Sequence, residues 1–215
     1  MQRIMKAPFL TILFFTCSAV TFKLSAQPKI TDTTYTTAGR KLYIDVHQFE
    51  PGKITSKAVA EAHAKDLAIE KKYNVDILKY WVDLDKARVF CLASAPDTAA
   101  LLHTHEEAHG LLPSHIYPVS EGMAAALKGK DNLYLDIHYL GAGNVTEEAV
   151  AAAHQKDLAV QGKYGVNLID YWVNERDGVV MCLAQAKDST DLIKTHKEAH
   201  GLIPAEVYEV KQGNK

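Results

Sequence analysis

Apolar and polar positions along residues 41–119 follow an order that predicts a β-α-β-β-α-β unit. Leu42–Phe49 alternates, with Leu42, Ile44 and Val46 on one face and Tyr43, Asp45 and His47 on the other. Thr55 or Ser56 suits the N-cap of an Ala-, Lys- and Glu-rich helix that runs to about Tyr73. Ile77–Val82 and Val89–Ala95 read as strands around a polar hairpin, Asp83–Lys86. Asp97 or Thr98 caps a second helix, which Gly110 stops with Pro113 beyond it. Ile116–Val119 supplies a last short strand.

The pattern then returns 91 residues later without a gap. Leu42-Tyr43-Ile44-Asp45-Val46-His47 recurs as Leu133-Tyr134-Leu135-Asp136-Ile137-His138, and Tyr80-Trp81-Val82 as Tyr171-Trp172-Val173. Thr104-His105-Glu106-Glu107-Ala108-His109-Gly110-Leu111 recurs as Thr195-His196-Lys197-Glu198-Ala199-His200-Gly201-Leu202. The expected organisation is therefore an arm at 27–40, one repeat at 41–119, a linker at 120–131 and a second repeat at 132–215. Each repeat is an α+β, ferredoxin-like βαββαβ unit, one sheet with helices on one face. Two such units can pair sheet to sheet as an α/β barrel, within one chain or in a homodimer. The more apolar Leu42, Ile44 and Val46 are assigned to the helix side. Tyr43, Asp45 and His47 then fall on the free face, so the join would enclose a polar space.

Residues 1–26 read as a signal peptide: Arg3 and Lys6, an apolar run from Pro8 to Phe22, then Leu24-Ser25-Ala26 before Gln27. The expected location is periplasmic or secreted, with no membrane attachment after cleavage. Losing Arg3, Lys6 and Lys23 deepens a charge that is already −2, which excludes nucleic-acid binding through bulk electrostatics. Cys91 and Cys182 lie in short apolar runs and read as two separately buried thiols, although the compartment permits a disulfide.

All ten histidines follow residue 46, and four of them recur: His47/His138, His63/His154, His105/His196 and His109/His200. His105 and His109 stand four apart on a helix, which puts two imidazoles on one face. With few thiolates, an imidazole-rich set favours nickel, copper or zinc over calcium or magnesium. These eight histidines are the candidate metal ligands. Asp45, Asp66, Asp136 and Asp157 are candidates to orient them, Asp66 holding His63 and Asp45 holding His47.

The runs Asp45-Val46-His47, Ala62-His63-x-Lys65-Asp66-Leu67-Ala68, Tyr80-Trp81-Val82, His105-x-x-Ala108-His109-Gly110-Leu111 and Ile116-Tyr117-x-Val119 resemble a family of small nickel-binding, ferredoxin-like proteins, catalogued as a domain of unknown function. The resemblance implies pairing into a barrel and nickel binding through histidines. Members are typically single-copy and lack a signal, so an exported tandem departs from the pattern. The expected function is an exported, non-catalytic metal-binding protein. One alternative is a barrel enzyme, such as a cofactor-free oxygenase or isomerase, with a His-Asp pair as general base. Another is a structural or partner-binding module.

Overall fold

The computed structural model describes residues 39–214; the segment read as a signal peptide and the arm up to residue 38 lie outside them. In the first repeat the elements are β1 (Lys41–Gln48), α1 (Ser56–Ile69), a 3₁₀ turn (Glu70–Tyr73), β2 (Asp76–Asp83), β3 (Arg88–Ala95), α2 (Thr98–Ala108) and β4 (His115–Glu121). The second copies them as β5 (Asn132–Tyr139), α3 (Glu147–Val160), a 3₁₀ turn (Gln161–Tyr164), β6 (Asn167–Asn174), β7 (Val179–Ala186), α4 (Ser189–Ala199) and β8 (Glu206–Asn214). Thr55 and Asp97, rather than Ser56 and Thr98, cap the first two helices, accepting from the backbone N–H groups of Ala58 and Ala100. Gly110 and Gly201 follow α2 and α4 in the left-handed region, at φ 74° and 80°, and end those helices.

All eight strands run antiparallel in one closed barrel of order β1-β3-β2-β8-β5-β7-β6-β4, with β4 returning to β1. The repeats join edge to edge at two seams. In one, Tyr80 pairs with Gly213 and Trp81 with Gln212; in the other, Ser120 pairs with Val173 and Glu121 with Trp172. Strand β4 therefore extends two residues into the stretch that reads as a linker. Beyond it Gly122 donates its N–H to the Tyr171 carbonyl at 2.8 Å.

The interior corrects the expected facing. Ile44, Val46, Phe90, Leu92, Leu135, Ile137, Met181 and Leu183 fill the barrel around Trp81 and Trp172, whose rings lie 5.1 Å apart. Among the described residues, apolar side chains fill the space between the sheets there. An eight-stranded barrel is just wide enough for its inward side chains to fill, and that packed volume takes the more apolar Leu42, Ile44 and Val46 face of β1. Tyr43, Asp45 and His47 point instead under the helices; Tyr43 packs with Ile77, Ala93 and Leu101. Cys91 and Cys182 are buried free thiols.

Candidate metal centre

With this facing, the polar residues of β1 meet the helices that cover the sheet. Asp45 is fully buried in the middle of β1, and Asp66 is buried on α1. A buried carboxylate needs a counter-charge or several hydrogen bonds. Among the described residues, the ion pairs of both are to imidazoles alone. His105, buried on α2, lies between them: Nδ1 is 3.0 Å from Asp66 Oδ1 and Nε2 is 3.3 Å from Asp45 Oδ2. His47 Nε2 approaches the other Asp45 oxygen, Oδ1, at 3.0 Å. His109, just past the end of α2, puts Nε2 3.2 Å from Asp66 Oδ2.

The second half repeats this almost to the tenth of an ångström. His196 Nδ1 and Nε2 lie 3.0 Å from Asp157 and 3.3 Å from Asp136. His138 Nε2 is 3.1 Å from Asp136 Oδ1, and His200 Nε2 is 3.2 Å from Asp157. Where the sequence reading joins Asp66 to His63, the structure thus brings Asp66 to His105 and His109. That follows from the packing of α2 against α1, which brings the helix carboxylate to the α2 imidazoles. His63 and His154 lie to one side, their rings 4.7 Å from those of Tyr80 and Tyr171.

Charge follows this geometry. Burial alone would raise the Asp45 carboxyl, but the charge and hydrogen bond of His105, with the His47 ring beside it, hold it far below its ordinary value. Asp66 is likewise pushed up by burial and brought below its ordinary value by His105 and His109. In the second half, His196 and His200 outweigh burial and bring Asp157 down to about 2. Burial would lower His105, yet its two carboxylates raise it to about 10; His196 reaches about 10 for the same reason. His154, in contrast, is held below its ordinary value by burial. Without a metal, the imidazolium of His105 is the cation that the two carboxylates require.

The donor atoms fit an ion. Asp45, His47 and His105 each present one ligand atom within 4.8 Å of the others, as do Asp66, His105 and His109. Asp45 reaches His47 Nε2 at 3.0 Å through Oδ1 and His105 Nε2 at 3.3 Å through Oδ2, close enough for the three side chains to turn onto one ion at about 2.0–2.1 Å. Asp45 Oδ1 is buried and makes no hydrogen bond despite its nearness to His47, and Asp136 Oδ1 repeats this. A buried carboxylate oxygen left in that condition suits a cation. The His109 ring is less available. Its Nδ1 accepts from the Leu111 N–H at 3.0 Å, so Nε2 carries the proton of the neutral ring and donates it to Asp66. His200 is set the same way by the Leu202 N–H.

Cys182 falls within a donor group with Asp136 and His138. The sequence reading set the cysteines apart from the histidines, but the register carried the signal: Asp45 pairs with Cys91 and Asp136 with Cys182 across the ladder. Burial and then the nearby carboxylates push both thiols up, which keeps them protonated.

A cavity adjoins each cluster. The first measures about 280 Å³ and is lined by His47, His63, Asp66, His105 and His109 together with chiefly apolar side chains, with Lys53 among its walls. The second measures about 110 Å³.

A family model described as "Nickel responsive protein SCO4226-like" matches residues 43–119 and again 134–210. The solved structure of SCO4226 from Streptomyces coelicolor A3(2) is 27% identical over 36% of this chain and 93% of its own, with a TM-score of 0.34. Chlorite dismutase from Candidatus Nitrospira defluvii is 10% identical over 83% of this chain and 91% of its own, with a TM-score of 0.46. A heme-binding protein from Thermus thermophilus is 11% identical over 81% and 90%, with a TM-score of 0.39. Comparison with curated proteins gives no match.

Proposed function

Because this chain belongs to the SCO4226-like family of nickel-responsive proteins, we propose that it binds a late transition metal, nickel foremost, in each of its two halves. Copper and zinc suit the same imidazole and carboxylate donors. The observation that carries this reading is the convergence of Asp45, His47 and His105 in the first half, with Asp136 lying 3.1 Å from His138 and 3.3 Å from His196 in the second.

In the first half Asp45, His47 Nε2 and His105 Nε2 supply the ligand atoms. Asp66 accepts the Nδ1 proton of His105, fixing the tautomer that leaves Nε2 free and making the ring a better donor. His109 orients Asp66 in turn. The proton that His105 carries at Nε2 in the metal-free protein leaves when the ion enters. His105 is a poor general base in that protein, since both of its nitrogens face carboxylates. Residues 1–26 support export to the periplasm or the exterior, where the protein would sequester, sense or deliver the ion.

The test is uptake by the full chain after exhaustive dialysis and exposure to nickel. Two ions per chain are expected, one after His105→Ala and none after His105→Ala with His196→Ala. His109→Ala should keep the site and weaken it about 10–100-fold, the usual effect of losing an outer partner. Uptake unchanged in the double variant would overturn the reading.

A further inference from the structure

The halves share their donors but differ in the space beside them. A single water occupies only about 10–15 Å³ of such a measure, so about 280 Å³ in the first half exceeds what a bare ion with its waters would fill. Its walls combine apolar side chains with four imidazoles, the pattern of a site for a small organic molecule. His47 and His105 both reach this cavity. Three protein ligands would leave a late transition metal with open coordination positions, and two of the three, His47 and His105, line the cavity.

The rim differs as well. Lys53 lines the first cavity and forms no ion pair among the described residues. Its counterpart is Asn144, whose side-chain amide donates to the Leu140 carbonyl at 2.9 Å and carries no charge. A divalent ion neutralises Asp45 and Asp66, so Lys53 remains as the cation that an incoming group would meet. An anionic head beside the metal and an apolar body along α1 would satisfy every wall.

We propose that the first-half cavity, and not the second, accepts a small 2-amino or 2-hydroxy carboxylate with an apolar side chain as a co-ligand of the ion held by Asp45, His47 and His105. This rests on the metal-binding reading. The carboxylate and its neighbouring amino or hydroxyl group chelate the open positions, while the side chain packs against Val59 and Ala62 of α1.

The test titrates L-leucine and 2-hydroxy-4-methylpentanoate into the nickel-loaded full chain, by calorimetry and by the visible absorption of bound nickel. One equivalent per chain is expected, with a change in the nickel spectrum and with metal content unchanged. Glycine, which has the same head and no apolar body, should bind at least tenfold more weakly. Ala62→Leu, which fills the cavity from a helical position, should take up nickel normally and lose the probes at least tenfold. Lys53→Asn should do likewise. No binding by loaded protein, two equal sites, removal of nickel by the probes, or no effect of Ala62→Leu would each overturn the proposal. A chain that takes up no nickel at all would instead overturn the metal reading beneath it.

Discussion

His105 and its copy His196 hold the chemistry of each half, because each puts both ring nitrogens against a buried carboxylate. The pH dependence of the metal-free protein follows. His105 rises from 6.5 unfolded to about 10 folded, so its contribution is complete below about 6.5 and is lost as pH rises through 10. Asp157 falls from 3.8 to about 2, so its contribution is present above about 4 and is lost as pH falls through 2. Thermal unfolding should therefore show greatest metal-free stability between about pH 4 and 6.5. Nickel affinity should run the other way over the neutral range, rising with pH, because each entering ion displaces the His105 proton. Calorimetry in buffers of differing ionisation heat should detect about one proton released per ion at pH 7.5. Release of none would mean that His105 is not a ligand. Part of this was visible in the sequence, since Asp45, His47, Asp66, His105 and His109, which the structure brings together, all recur in the second half. The partner choice of Asp66 was not, since helical spacing places it near His63 and only the tertiary approach of α2 brings His105 closer.

Among the elements, the strand pattern was legible in period but not in direction. Alternation along β1 separates Leu42, Ile44 and Val46 from Tyr43, Asp45 and His47, and nothing local says which set meets the helices. The usual expectation, apolar under helices, fails because barrel closure creates a second and drier interior. The seams hold another feature that sequence reading passes over. A Cβ on Gly122 would come within 2.1 Å of the Tyr171 ring, and one on its repeat partner Gly213 within 2.1 Å of the Tyr80 ring. These tyrosines lie across the joining strand, with the His154 and His63 rings 4.7 Å from theirs. Gly122→Ala and Gly213→Ala should each lower stability by about 1–3 kcal/mol, the range for forcing extra volume into a packed site. Gly162→Ala, in open space and without positive φ, should be neutral or stabilising. Equal effects at all three positions in denaturant unfolding would remove the role given to the seams.

For the whole molecule, each repeat supplies half a barrel, with two open edges and one uncovered apolar sheet face. The chain closes them itself, with Trp81 and Trp172 in contact across the join. The halves should therefore unfold as one cooperative unit. Trp81→Ala should cost about 3–5 kcal/mol and destabilise both halves together. Residues 39–127 alone should associate or aggregate through the exposed edges of β2 and β4. Two resolved unfolding transitions, or a stable monomeric half, would contradict this. The duplication itself needed no structure to find, because an ungapped offset is preserved through every element.

X-ray absorption at the nickel edge of the loaded full chain tests the central claim most directly, since it reads the atoms bound to the ion. Donor shells of nitrogen and oxygen only, with the outer scattering of at least two imidazoles per ion, are what Asp45, His47 and His105 predict in one half and Asp136, His138 and His196 in the other. A sulfur shell, which would bring in Cys91 or Cys182, or a spectrum without imidazole scattering would contradict it.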